Sequence, residues 1–142
     1  MADKDAFDEN VELLHSFTAE GMEMLDDVEP SLIELQLSVE ESRQIDSEVL
    51  NSIFRLFRTM KGSAGFLKLN TLQSVTHEAE TLLDLYRKRI LQPDREQINL
   101  LFRACDFIRM LMKNIEKNLH DKGFESEAAD LVKEFSKASS QT

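Results

Sequence analysis

Apolar residues recur along most of this chain at spacings of three and four, the period of a helix with one face against a core. Short polar stretches separate five such segments, and no segment shows the strict alternation of a β-strand. Helices are predicted at about 6–36, 47–66, 70–90, 94–120 and 125–138. The pattern predicts an all-α fold: an antiparallel up-and-down four-helix bundle with an additional C-terminal helix.

Four positions predict how these helices bend, begin and end. Pro30 lies inside the first apolar stripe, and because the stripe continues past it we expect one kinked helix rather than two. Asn70 or Thr71 is suited to cap the third helix with its side chain. Gly123 is suited to end the fourth helix, since glycine readily adopts the left-handed conformation common at that position.

The composition is that of one globular domain with an acidic surface. The 142 residues are 42% hydrophobic and 31% charged, with a formal net charge of -10. We expect a single domain over 1–138, with 139–142 as a linker or chain end. The negative charge disfavours nucleic-acid binding, and no apolar run is long enough for membrane insertion. The chain opens on polar, acidic residues unlike a signal peptide, so a cytoplasmic location is expected.

One stretch of this acidic chain carries no acid at all. Between Glu48 and Glu78 there is no Asp or Glu, whereas Arg55, Arg58 and Lys61 follow one another at steps of three. Residues three apart share a face of a helix, so these cations are expected to form one basic patch. A basic patch on an acidic protein indicates a negatively charged partner.

The same stretch resembles a known motif. The sequence from Phe54 to Gly65, Phe-Arg-x-x-Arg-Thr-Met-Lys-Gly-x-x-Gly, is similar to the histidine phosphotransfer (HPt) motif, Phe-Arg-x-x-His-Thr-Ile-Lys-Gly-x-x-Gly. The segment 75–84 resembles the third helix of the HPt domains at the amino terminus of CheA-type chemotaxis kinases, and 17–36 resembles their first helix. The resemblance covers about 10–120 and implies an HPt-like bundle.

The resemblance also implies a role for each site residue. The phosphoaccepting histidine of the family falls on Arg58, and the glutamate that orients it falls on Glu80. The lysine that attends the phosphoryl group falls on Lys61, and the glycines that let a partner approach fall on Gly62 and Gly65. Arginine stays protonated and offers no lone pair for attack, so the acceptor is degenerate as written.

These observations support two functions. The first is a phosphorelay module of a CheA-like histidine kinase that docks a kinase catalytic domain, in the same polypeptide or its dimer partner, and a response-regulator receiver domain. The alternative is a non-catalytic module that binds a receiver through Arg55, Arg58 and Lys61. A simple solvated helix face, with Arg58 paired to Glu80, is the third interpretation. No autonomous catalysis and no cofactor are expected, because the chain has no Gly-rich phosphate loop.

The remaining reactive residues are weaker candidates. His77, one helical turn before Glu80, is a candidate substitute acceptor, although a structural role in the third helix is favoured. Glu12 and His15 have the spacing of a di-iron half-site, but the second half-site is missing, so no metal is expected. Cys105 lies among helix-patterned apolar residues and is expected to be a buried free thiol.

Overall fold

The structure, a computed structural model, describes the backbone of residues 2–141 and the side chains of 9–141. It contains five helices and, within that range, no strand: α1 Ala2–Glu40, α2 Ser47–Phe66, α3 Asn70–Arg87, α4 Arg95–Asn118 and α5 Glu125–Ser139. The predicted all-α fold is confirmed. The bounds of α2 are those predicted, whereas α1 is longer at both ends and α3 ends earlier.

The first four helices form an up-and-down bundle. The α1 helix packs against α2 and α4, and α2 packs against α3. Residues 13–20 of α1 adjoin 62–67 of α2, while 24–31 adjoin 52–59, so these two helices run antiparallel. The fifth helix, α5, packs mainly on α3 and more lightly on α4, and it covers the seam where those two helices make few contacts.

Local sequence accounts for the start of two helices. The Asp46 side chain accepts a hydrogen bond from the backbone N–H of Glu48 at 2.8 Å and caps α2. Asp94 caps α4 in the same way, through the N–H of Gln97 at 2.8 Å. The α1 helix runs unbroken through Pro30, as one helix.

Two predicted helix ends are wrong. Neither Asn70 nor Thr71 caps α3; instead Asp121, buried in the loop between α4 and α5, accepts a hydrogen bond from the N–H of Leu72 at 2.9 Å. The α4 helix ends before Gly123 is reached, because Leu119 adopts the left-handed conformation with φ 66° and its N–H bonds to the Ile115 carbonyl. Both ends therefore depend on how the loop 119–124 folds.

The predicted apolar stripes form the core. The α2 positions predicted to be core are all buried: Leu50, Phe54, Phe57, Met60 and Ala64. Where α1 meets α4, a methyl group built on Gly21 would lie 2.9 Å from the sulfur of Met112, so this glycine permits close helix approach. Cys105 is a buried free thiol, as predicted. Among the described residues, no helix is long and apolar enough to cross a membrane.

Candidate functional site

The basic patch lies on the outer face of α2. Because Phe54, Phe57 and Met60 turn into the core, Arg55 and Arg58 project from the opposite side, and both are exposed. The Nε of Arg55 reaches the Asn51 carbonyl oxygen at 3.4 Å. Arg58 makes no ion pair or side-chain hydrogen bond with any residue in 9–141. Its guanidinium therefore carries a charge that nothing in this part of the chain compensates.

Lys61 and Glu80 join the patch to the neighbouring helix. The Nζ of Lys61 lies 2.7 Å from Oε2 of Glu80, and the two side chains are 31% and 17% exposed. Glu80 thus pairs with Lys61 and not with Arg58, which corrects the suggestion of an Arg58–Glu80 pair. The physical reason is rotation of α2: Lys61 lies on the half-buried side facing α3, whereas Arg58 is turned to solvent. Arg58 lies one helical turn before Lys61, the residue that contacts Glu80.

Lys61 and Glu80 form an ion pair whose geometry is not that of a hydrogen bond. Oε2 of Glu80 is shielded from solvent and receives no well-directed hydrogen bond from the described residues. A shielded carboxylate needs a nearby cation, since burial of an unpaired charge is costly. Lys61 supplies that cation, so the pair is part of the folded site and more than a pair at the solvated surface.

The α3 side of the site is held by a second group of contacts. Asp84 forms ion pairs with Arg87 at 3.1 Å and Lys88 at 2.8 Å. The Arg87 guanidinium also stacks on the ring of Phe54, 3.9 Å from its centroid, which ties α3 to α2. His77 is exposed on α3 one turn before Glu80, as its spacing predicts. Of these contacts, the stacking of Arg87 on Phe54 crosses from α3 to α2, as the Lys61–Glu80 pair does.

The two glycines of the motif have different surroundings. A methyl group built on Gly62 meets nothing within 4 Å, so this position leaves open space in front of α2. A methyl group on Gly65 would lie 2.8 Å from the Gln73 side chain. The expectation that both glycines keep the surface low therefore fits Gly62, while Gly65 makes room for a side chain of the same molecule.

An apolar groove beside Gly62 was not predicted. The side chains of Leu13 on α1 and Phe66 on α2 are large, apolar and exposed, at 47% and 76%. They line a groove of about 350 Å³ between α1 and α2 that includes Gly62. Both residues lie outside the buried stripes of their helices. A large apolar residue outside the stripe is the sequence feature from which their exposure could have been predicted. The groove extends the basic patch with an apolar surface.

The predicted weaker candidates do not gather into a second site. Glu12 and His15 are both exposed on α1. Within residues 9–141, no group of three or more His, Cys, Asp or Glu side chains is placed to hold a metal ion. Burial raises the pKa of the Cys105 thiol to about 12, so the thiol stays protonated at neutral pH.

In this helical bundle, a basic face of α2 is exposed beside the shielded carboxylate of Glu80 on α3. The sequence profile of the Hpt domain matches residues 12–118, which is most of the chain. The chain belongs to the Hpt domain family.

Relatives of this chain include a chemotaxis protein and a sensor histidine kinase. Residues of this chain are 38% identical over 94 positions to chemotaxis protein CheA of Salmonella typhimurium, covering 66% of the chain and 13% of that protein. They are 32% identical over 136 positions to sensor histidine kinase CheAY of Helicobacter pylori, covering 94% of the chain and 16% of that protein. The chain therefore spans less than a fifth of either relative.

A solved structure shares the fold. It is described as the phosphorylated P1 domain of CheA3 in complex with CheY6 from R. sphaeroides. The match has a TM-score of 0.74 at 24% identity and covers 90% of this chain and 98% of the matched one. At this identity the match shows the common helical architecture.

Proposed function

We propose that this chain is a phosphorelay module of a CheA-like histidine kinase in which Arg58 fills the position of the phosphoaccepting histidine. The module docks kinase and receiver domains and carries no phosphoryl group at residue 58. The observation that supports this most directly is the exposure of Arg58 one helical turn before Lys61, whose ammonium is 2.7 Å from Glu80. On this proposal, Lys61 and Glu80 are the supporting groups of an accessible acceptor position, and the position lacks only a nucleophilic side chain.

The chemistry of the guanidinium accounts for the lost transfer. A histidine acts as acceptor because a neutral ring nitrogen has a lone pair near physiological pH. Arginine stays protonated, with a pKa of about 12 or higher, and it presents only donors. Lys61 can still stabilise an anionic group by its charge, but it cannot supply the bond-forming electron pair while it is protonated.

Incubation with a CheA-type kinase catalytic domain and ATP tests this proposal. Intact-protein mass spectrometry at neutral pH is expected to find no added phosphoryl group on the chain. The His77→Gln variant serves as the control, because His77 is the exposed histidine nearest in sequence to Glu80. A phosphoryl group on the native chain that disappears in His77→Gln would support a displaced acceptor, and one mapped to residue 58 would refute the proposal.

The alternative is a non-catalytic module that binds a receiver through Arg55, Arg58 and Lys61. The uncompensated charge of Arg58 favours it, because receiver domains served by this family present a cluster of aspartates around the phosphorylation site. A guanidinium can bind a carboxylate through two parallel hydrogen bonds. The apolar groove at Leu13 and Phe66 supplies adjoining contact area. We expect such docking to an unphosphorylated receiver without any transfer.

Titration against receiver domains at low and high salt tests this alternative. Binding is expected to weaken at high salt, which screens charges over a Debye length of about 8–10 Å. Arg58→Glu is expected to weaken binding further, whereas Arg95→Glu, at an exposed arginine that begins α4, leaves it unchanged. Binding that is insensitive to both salt and Arg58→Glu would rule out docking by this patch.

A further inference from the structure

We infer that Arg58 competes with Mg²⁺ for the aspartate cluster of the receiver, so that Mg²⁺ antagonises docking of this domain. The inference rests on the receiver binding proposed above and specifies how that binding is regulated. It concerns one side chain, Arg58, and one class of ligand, a cluster of carboxylates, whose oxygen atoms are the ligands that Mg²⁺ prefers.

Arg58 is the cation of the patch that has neither an ion pair nor a side-chain hydrogen bond with residues 9–141. Its neighbours one turn away on α2 are Arg55 and Lys61, and no acidic residue lies within that distance along the helix. Lys61 is already paired with Glu80. Of the eight arginines, Arg58 and Arg95 make no ion pair or side-chain hydrogen bond with residues 9–141, and Arg95 lies directly between two acids in sequence. An incoming carboxylate therefore does not have to displace an internal partner from Arg58.

The surface around Arg58 lets a concave acidic site approach. Gly62, one turn further along α2, has open space where a side chain would stand. The exposed Arg58 side chain is long and flexible, and its planar group offers five hydrogen-bond donors. The guanidinium can thus extend beyond the helix surface and enter a pocket, while the groove beside Gly62 contacts its rim.

The carboxylate oxygens of the receiver cannot coordinate Mg²⁺ and accept hydrogen bonds from the Arg58 guanidinium at the same time. Mg²⁺ binds carboxylate oxygens in a strict octahedron at about 2.0–2.1 Å and keeps several waters. A guanidinium in the cluster occupies the lone pairs and the space that the metal and its waters require. Binding of the two is then mutually exclusive, and linkage requires each to weaken the other by the same factor.

The experiment measures the affinity of this chain for CheY6 and for receiver domains encoded in the same genome as the chain. Each titration is run in EDTA with NaCl, and in MgCl₂ at the same ionic strength, so that screening is equal. With Mg²⁺ at about ten times its dissociation constant from the free receiver, the apparent Kd for the native chain is expected to rise about tenfold. The Mg²⁺ effect is expected to remain in Arg55→Gln and to fall below about twofold in Arg58→Gln.

The reciprocal measurement keeps the test decisive if Arg58→Gln binds weakly. The Kd of Mg²⁺ for the receiver is expected to rise in the presence of the native chain and to stay unchanged with Arg58→Gln. Equal binding in NaCl and MgCl₂ would overturn the inference while leaving receiver docking in place. A Mg²⁺ effect that persists in Arg58→Gln would also overturn it, and the absence of receiver binding in both buffers would reject docking itself.

Discussion

At the scale of single residues, Arg58 and Lys61 are two cations one helical turn apart, one without a partner among residues 9–141 and the other paired. Lys61 faces the seam with α3 and neutralises a shielded carboxylate, so its charge serves the folded domain. Arg58 faces solvent without a partner among residues 9–141, so its charge is available to another molecule. Substitutions at the two positions should therefore separate stability from binding.

Cys105 provides a pH-dependent prediction at the same scale. Burial raises the pKa of its thiol from 9.0 to about 12, so the folded protein keeps this proton where the unfolded chain loses it. A raised pKa stabilises the fold fully below about pH 9, and that stabilisation is lost as the pH rises towards 12. Urea unfolding is expected to show a free energy that falls in this window by no more than about 1.4 kcal/mol per pH unit from this group.

The Cys105→Ala variant is the control for that measurement. Its free energy of unfolding is lower at every pH because a buried side chain is shortened, but it should fall less steeply above pH 9. Burial also raises the pKa of Tyr86, so both proteins share a remaining decline at high pH. Equal slopes for the two proteins would contradict the assignment to Cys105.

At the scale of helices, the two glycines near the end of α2 predict different responses to alanine. Gly62→Ala is expected to raise the free energy of unfolding by about 0.5–1 kcal/mol, because the added methyl group meets no neighbour. Gly65→Ala gains the same helix propensity but displaces the Gln73 side chain, so its net effect should be smaller. Urea denaturation of both variants checks the order. If Gly65→Ala is the more stabilised, the open space assigned to Gly62 is wrong.

The start of α3 depends on a residue from another part of the chain. Asp121 is buried and accepts the N–H of Leu72 across 49 positions of sequence. Asp121→Ala is expected to lower the free energy of unfolding by about 1–2 kcal/mol, because a cap is lost and a backbone donor is left unsatisfied. Asp130→Ala, at an exposed position of α5, should change it by less than about 0.5 kcal/mol. A negligible effect of Asp121→Ala would show that α3 does not need this cap.

At the scale of the whole molecule, local signals were sufficient for the number and approximate extent of the helices, and insufficient for several helix ends and for the contacts between helices. The bounds of α2 follow from Asp46 and an uninterrupted apolar stripe, both of which are local in sequence. The choice of Lys61 over Arg58 as partner of Glu80 depends on the rotation of α3 against α2, which a helical period leaves open. The Asp121 cap likewise arises from tertiary structure.

The groove at Leu13 and Phe66 illustrates the same limit. Each residue is an isolated apolar position on a polar helix face, which is common on protein surfaces. They define a groove only after α1 and α2 pack antiparallel and bring both beside Gly62. The sequence indicated the charged part of this surface, and the packing adds the apolar part.

The account as a whole requires that the site lacks only its nucleophile, and Arg58→His tests this most directly. With a CheA-type kinase domain and ATP, Arg58→His is expected to gain an acid-labile phosphoryl group that the native chain does not acquire. The gain should be reduced in Arg58→His combined with Glu80→Gln, since the carboxylate orients the ring. If Arg58→His accepts no phosphoryl group from several CheA-type kinases that phosphorylate their own domains, the supporting site is not intact and the central claim fails.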